Sequence, residues 1–353
     1  MGAATNVPTY IGVEVTRRCN LRCPHCFTDS RGRSHPGPDT AALSGLIEQL
    51  VAAGATHIAF SGGEPLLRED LEEVMRHGTA AGVKGFSLVT NGSLASLERL
   101  RRFRKAGLEG AQVSIDGVDA RDHCAVRKCA PRAFYWALRS VRLFRKAGIV
   151  VDIATILTPR NAARAAEMLL LAEALGARSL RYCSFVPTGR GTTGEIRELM
   201  ELTPEAADAF LAFMRKYKSD KRAKLGMLID HGIGPWKASG EFTCTSGSEV
   251  AYISSEGDLY PCPGLIFEPF KVGNVYETPV RDLLRSPALS RIREIPKAEL
   301  AEPCRSCEVE ACSGGCRGSA YAYTGDIRGA PFYCNALRRR AGGLPKGDPA
   351  AEG

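Results

Sequence analysis

The stretch YIGVEVTRRCNLRCPHCF, residues 10–27, runs from a short β-type segment straight into Cys19, Cys23 and Cys26, spaced C-x3-C-x2-C. Thirteen cysteines occur in the chain, whose first residues, MGAATNVPTY, carry neither a basic start nor an apolar run. A signal peptide is therefore not expected, and thiols without a secretory context point to metal or redox chemistry rather than disulfides. The N-terminus also misses the myristoylation pattern, because Asn6 stands where Ser or Thr is needed. No apolar run approaches the roughly 20 residues that would span a bilayer. The expectation is a cytoplasmic protein with no membrane partner.

Working outward, the same strand-turn-helix pattern repeats from Tyr10 to about Pro187. The strand candidates are YIGVEV, HIAF, GFSLVT, AQVSI, VDIATIL and LRYCSFV. Helical stretches separate them, such as TAALSGLIEQLVAAG with Leu43, Leu46, Ile47 and Leu50 on one face. Endings in AAG, KAG and ALGA place glycine where a left-handed cap is wanted. Alternating strands and helices imply an α/β fold with a parallel sheet and right-handed crossovers. Six such units are too few for a closed eight-fold barrel, so the expected fold is an open, partial (β/α)6 TIM-type barrel. Chemistry gathers at the C-terminal ends of the strands in such barrels. Those ends carry TRRCNLRCPHC, SGGEP, TNGS, DG, TPRN and PTGRG.

A chain of 353 residues, 44% hydrophobic and 24% charged, is long enough for this domain and a smaller one. The expected organisation is a tail over 1–9, the barrel over 10–190, a helical bridge over 191–243, a small cysteine-rich domain over 244–335 and a disordered tail over 336–353. In the bridge, LTPEAADAFLAFMRKYK reads as a helix capped by Thr203, with Pro204 first, burying Phe210, Leu211 and Met214. Further on, VAYISSEGDLYPCPG reads as a hairpin turning at Glu256-Gly257. The net charge of +8 is spread through helix-like segments such as LERLRRFRKAG, which marks solvated helix faces rather than a nucleic-acid surface.

Three thiolates on a short loop suit three irons of a cubane cluster and leave its fourth iron without a protein ligand. Zinc wants four ligands, and His25, wedged between Cys23 and Cys26, is cramped for that role. CNLRCPHC after the first strand, with FSGGEP after the second, resembles the radical S-adenosylmethionine superfamily, and the resemblance extends from Tyr10 to Cys334. It implies an oxidoreductase whose reduced [4Fe-4S] cluster binds S-adenosylmethionine and cleaves it to methionine and a 5′-deoxyadenosyl radical. That radical would abstract a hydrogen atom from substrate, with a flavodoxin or ferredoxin as electron donor. By the same resemblance Gly62, Gly63 and Glu64 receive the methionine amino group, and Asn91, Ser114, Asp116 and Arg127 stand where relatives contact the cofactor or nearby groups. The family usually follows that arginine with glycine; here Lys128 and Cys129 follow.

Cys244-x12-Gly257-x4-Cys262, then Cys304-x2-Cys307-x4-Cys312-x3-Cys316, then Cys334 resembles the SPASM extension of this superfamily. The x4 spacing, Glu308 to Ala311, is one residue shorter than usual. Relatives assign Cys304, Cys307, Cys312 and Cys334 to an outer auxiliary [4Fe-4S] cluster, and Cys244, Cys262 and Cys316 to an inner one. Seven thiolates cannot complete two cubanes, so the inner cluster keeps an open iron, a non-cysteine ligand, or a donor such as Cys183. CRSCEVEACSGGC alone would also suit a structural zinc ribbon.

The substrate is less legible. Arg190 in FVPTGRG suits either a bidentate carboxylate contact or structural hydrogen bonds in a turn. The residues leave Asp116, Asp152, Tyr182, Asp230 and His231 as undistinguished general-base candidates, and Cys124 and Cys129 as hydrogen-atom donors or bystanders. About nine residues precede the first strand, so leader recognition is expected to use the barrel or a separate leader-binding protein. Three functions stay open: an enzyme maturing a ribosomal peptide or tailoring a secondary metabolite, a decarboxylase or side-chain-modifying enzyme acting on a tetrapyrrole or sugar acid, and a non-catalytic iron-sulfur or zinc scaffold.

Overall fold

Alternation along the first segment decides its conformation, because Ile11 and Val13 are fully buried on one face of an extended run. The structure, a computed structural model, describes residues 7–32, 35–219, 225–229, 244–293, 295–307, 312 and 314–334. Its first six strands are β1 (Tyr10–Glu14), β2 (His57–Ser61), β3 (Gly85–Thr90), β4 (Leu108–Ser114), β5 (Val150–Ile156) and β6 (Ser179–Cys183). Each is parallel to the next. The crossovers between them carry α1 (Thr40–Ala52), α2 (Leu71–Ala81), α3 (Leu97–Lys105), α4 (Ala120–Arg127), α5 (Arg132–Lys146), α6 (Pro159–Ala162) and α7 (Ala165–Leu175). Asp39 caps α1, accepting from the Ala42 N–H at 2.8 Å, and the helix buries Leu43, Leu46, Ile47 and Leu50 as its periodicity requires.

The segment expected as a helical bridge holds α8 (Gly194–Met200) and α9 (Pro204–Ser219), and also a seventh strand, β7 (Gly226–Ile229), parallel to β6. Thr203 caps α9 through the Ala206 N–H, and Phe210, Leu211 and Met214 are buried. Asp230, His231 and the 336–353 tail lie outside the described residues.

On the other side of the sheet, β8 (Val250–Ile253) pairs in parallel with β1. The hairpin then continues antiparallel through β9 (Asp258–Tyr260) to β10 (Gly273–Asn274). The sheet order is β10-β9-β8-β1-β2-β3-β4-β5-β6-β7, and it remains open between β10 and β7 among the described residues. After the hairpin come α10 (Val280–Leu284), α11 (Pro287–Arg293) and α12 (Arg317–Thr324). One hydrophobic core joins Ile11, Phe86 and Leu180 of the barrel to Ile253, Val280, Leu289 and Tyr333. The cysteine-rich segment is thus built onto the barrel sheet. No described helix is long and apolar enough to cross a membrane.

Candidate metal centre

Parallel register brings the C-terminal strand ends together, with Glu14 opposite Ser61, Thr90 opposite Val113, and Ile156 opposite Cys183. The three-cysteine loop leaves β1 at this rim. It is folded back on itself by Arg17 N–H to His35 O at 2.9 Å, and by Arg31 N–H to Arg17 O and Cys19 N–H to Arg31 O, both at 3.2 Å.

The donor set fits a bound cationic group. Leu21 N–H donates to Cys19 Sγ at 3.4 Å, Ser30 N–H donates to Cys26 Sγ at 3.3 Å, and Arg127 Nη1 lies 3.7 Å from Cys23 Sγ. Such donors favour thiolate, the metal-binding form. Burial works the other way, pushing Cys19 up to about 12 and raising Cys23. A metal cluster would remove that penalty by supplying positive charge at the sulfurs. Among the described residues no three His, Cys, Asp or Glu side chains converge on a single-ion site; ligands spread around a polynuclear group need not do so. His25 does not join the sulfurs through its second nitrogen: Nδ1 is buried without a partner among the described residues. Its pKa falls to about 4, first through burial and then through Arg127, so the ring is neutral.

Gly62 and Gly63 lock the β2 loop against the cysteine loop. Gly63 N–H donates to Thr16 O at 2.7 Å and Glu64 N–H to Arg18 O at 2.8 Å. A Cβ on Gly62, whose φ is +145°, would lie 2.2 Å from Thr16 O, and one on Gly63 would lie 2.2 Å from Arg18 O. The approach leaves no room for a side chain. Glu64 is fully buried, and its carboxylate accepts from Leu66 N–H at 3.0 Å, Thr90 Oγ1 at 2.7 Å and Asn91 N–H at 2.8 Å. Burial pushes its pKa up while these donors oppose the shift. Its side chain ties the β2 and β3 loops together. Asn91 Nδ2 in turn donates to Asn20 Oδ1 at 3.0 Å, joining the β3 loop to the cysteine loop.

Asp116, after β4, is fully buried and accepts from Arg127 Nε at 2.5 Å and Ile156 N–H at 2.7 Å. Burial alone would raise its pKa, but Arg127 beside it, with lesser contributions from His25 and His123, holds it below the usual carboxylate range. That pair makes Asp116 a support for Arg127 rather than a free base. Asn161 adds a contact the sequence reading passed over, donating from Nδ2 to Asp116 O at 3.2 Å and Ile156 O at 2.8 Å. Its signal was the TPRN turn, where Thr158 and Asn161 form a reciprocal cap. Ser114, half-buried, ends β4 beside this group. Lys128 takes the left-handed conformation, φ 50°, that the expected glycine would adopt.

Of the other base candidates, Asp152 sits early in β5, paired with Arg178 and with Ser179 Oγ at 2.6 Å, away from the rim. Tyr182 is buried with its hydroxyl donating to Ala165 O at 2.9 Å. Arg190 takes the structural of its two readings. Its Nε donates to Cys23 O at 2.9 Å, and its Nη1 donates to Asp29 Oδ1 at 2.9 Å and Ser30 O at 2.7 Å. The β6 loop therefore clamps the cysteine loop.

The C-terminal cysteines divide by which of them bear on one another electrostatically. Burial pushes Cys262 up to about 12, with lesser upward contributions from Cys316 and Cys244. Burial pushes Cys334 up to about 12, with lesser upward contributions from Cys304, Cys312 and Cys307. Cys316 caps α12, its Sγ accepting from Ser319 N–H at 3.4 Å. Arg317 follows it, 1% exposed, donating to Ile327 O at 2.7 Å while its Nη2 has no partner among the described residues. Cys183 ends β6, half-buried at the rim.

Residues 13–172 match the model of the Radical SAM superfamily, and residues 244–308 match that of the SPASM iron-sulfur cluster-binding domain. The chain is 31% identical over 354 residues to the AdoMet-dependent heme synthase of Methanosarcina barkeri, covering 95% of this chain and 98% of that one. It is 31% identical over 360 residues to the PqqA peptide cyclase of Methylocella silvestris, covering 95% and 90%. The solved structure of native anSMEcpe with bound AdoMet shares the fold, with a TM-score of 0.73 at 20% identity over 94% of this chain and 95% of that one.

Proposed function

The chain belongs to the radical S-adenosylmethionine superfamily, and from that premise we propose that it matures a ribosomally made peptide. It is a radical S-adenosylmethionine enzyme with a SPASM iron-sulfur domain. The observation that carries the reading is the cysteine loop held at the open rim of the barrel, with two further thiol groups built onto the same sheet.

When bound, the cluster and S-adenosylmethionine supply one-electron cleavage of the sulfonium to a 5′-deoxyadenosyl radical. In this proposal Cys19, Cys23 and Cys26 hold three irons. The backbone of Gly62 and Gly63 offers the approach for the methionine amino group, with Glu64 fixing that loop from behind. Asn91 and Ser114 line the neighbouring strand ends, and Asp116 orients Arg127 against Cys23. Cys304, Cys307, Cys312 and Cys334 hold an outer auxiliary cluster, and Cys244, Cys262 and Cys316 an inner one. A flavodoxin or ferredoxin supplies the electron, and a separate leader-binding protein presents the peptide.

The similarity to PqqA peptide cyclase supports a peptide substrate. A second reading, modification of a tetrapyrrole carboxylate, is favoured by 31% identity over nearly the full length of a heme synthase. Anaerobic reconstitution followed by dithionite and S-adenosylmethionine tests the shared chemistry. 5′-Deoxyadenosine should form, and should be lost when Cys19, Cys23 and Cys26 are changed to alanine. Protein carrying zinc but neither iron nor sulfide would leave a scaffold. Stimulation by a precursor peptide, rather than by a tetrapyrrole acid, separates the two substrate readings.

A further inference from the structure

Two thiols, Cys124 and Cys129, stand outside both cluster patterns. Cys124 lies in α4, and Cys129 follows Lys128, whose left-handed backbone ends the helix and whose N–H donates to Cys124 O at 2.8 Å. A helix end of this kind folds the residue after the left-handed position back onto the residue one turn earlier, a contact usually made by apolar side chains. Here both positions are cysteine, and the two sulfurs lie 2.9 Å apart. Both residues are partly exposed, and Cys129 is flanked by the exposed Lys128 and Ala130, so a small molecule can reach the pair. Between them Arg127 reaches inward to Asp116 and Cys23 Sγ.

We propose that Cys124 and Cys129 are a reversible dithiol-disulfide site, closed by exchange with a small-molecule disulfide. One thiolate attacks the small disulfide, forming a mixed disulfide and releasing one small thiol. The second cysteine attacks the protein sulfur of that intermediate and releases the other small thiol. One sulfur–sulfur bond breaks and one forms; the protein gives up two hydrogens, and the small disulfide takes up the two electrons and two protons. Closure braces the turn that carries Arg127, at a position where lysine holds a conformation that glycine adopts more readily. The proposal concerns the chain's own thiols and stands apart from the choice of substrate.

The test uses the reconstituted holoprotein, held anaerobically in oxidised and reduced glutathione at graded ratios, then acid-quenched, alkylated and digested with trypsin. Cleavage after Arg121, Arg127, Lys128 and Arg132 places the two cysteines in separate peptides, DHCAVR and CAPR. The expected result is joint loss of alkylation at both, a linked peptide lighter by two hydrogens than their sum, and full recovery with dithiothreitol. In Cys124→Ser, Cys129 should instead accumulate a stable glutathione adduct absent from the wild type. Independent alkylation of both cysteines across all ratios, or glutathione adducts at both in the wild type without a link, would overturn the proposal.

Discussion

Two of the thiol-bearing regions of the chain are built in opposite ways. The N-terminal loop holds Cys19, Cys23 and Cys26 within one turn of chain and borrows its shape from elsewhere: Gly62 and Gly63 from the β2 loop, Asn91 from the β3 loop, Arg127 from α4 and Arg190 from the β6 loop. The C-terminal region spreads its thiols from Cys244 to Cys334 and gathers them only when the hairpin, α12 and the last turn pack together. In the first region the thiols are close in sequence and the supports distant; in the second the thiols themselves are distant in sequence. Damage to a support should therefore act on one site at a time.

The largest effect is expected where two backbones touch. Gly63→Ala puts a methyl group 2.2 Å from Arg18 O, and Gly318→Ala puts one 2.2 Å from Gly264 O beside Cys262. Neither neighbour is a flexible side chain, so the backbone must move, at a cost on the order of 1–3 kcal/mol. Gly63→Ala should lose most of the iron of the N-terminal site and, with it, about tenfold or more of its 5′-deoxyadenosine formation, since each ~1.4 kcal/mol is a decade in binding. Gly318→Ala should lose auxiliary iron, leave S-adenosylmethionine cleavage standing, and uncouple it from product. Iron and sulfide analysis beside the cleavage assay checks both, and equal loss of cleavage in the two variants would break the separation of the regions.

Arg190→Ala is expected to come next. It removes charged donors to Cys23 O, Asp29 and Ser30 O from a side chain that is only 16% exposed. The loss should be about 1.5–3 kcal/mol, the range for hydrogen bonds to a charged group. Faster loss of the N-terminal cluster to a chelator and a lower melting temperature should follow, with little change in substrate KM. The reverse pattern, a raised KM at unchanged stability, would restore the substrate-binding reading of Arg190.

Much of this was legible in the sequence, and the gaps have physical causes. The six barrel strands and the rim were readable because a parallel sheet imposes alternating elements of regular length, and because C-x3-C-x2-C is a local spacing. β7 escaped notice because GMLI is a four-residue strand that, among the described residues, pairs with β6 alone, across a long intervening segment. Nothing local in VAYI announces that it will lie parallel to β1, more than two hundred residues earlier. Glu64 and Arg190 were placed at the rim by the motifs, but the direction of a side chain depends on partners that no spacing reveals. For Glu64 those partners are Thr90 and Asn91; for Arg190 they are the carbonyls of the cysteine loop. Cys124 and Cys129 were readable as hydrogen-atom donors or bystanders but not as a contacting pair, because their contact is made by the left-handed turn at Lys128.

The smallest expected effect sharpens the same contrast at the entry to the cysteine loop. Arg68 donates from Nη1 to Val15 O at 2.9 Å, the carbonyl just ahead of that loop, while its Nε donates to Asp70 Oδ1 at 2.9 Å. Burial would raise the Asp70 pKa, but the hydrogen bonds from Arg68 and Thr40 outweigh it and hold the carboxyl below its ordinary 3.8. A carboxyl depressed in the folded state binds fewer protons there than in the unfolded chain. Its stabilisation is complete above the unfolded pKa and disappears as pH falls through the folded one. The pair is partly solvated, so the contribution should be about 1 kcal/mol or less. Asp70→Asn should thus cost a little stability in urea denaturation at pH 7, and the gap from the wild type should narrow as pH falls below about 4, near the unperturbed Asp value. A gap that stays constant down to pH 3 would mean that Asp70 acts through packing and its bond to Thr40, leaving Arg68 to hold the loop entry without an ionised partner.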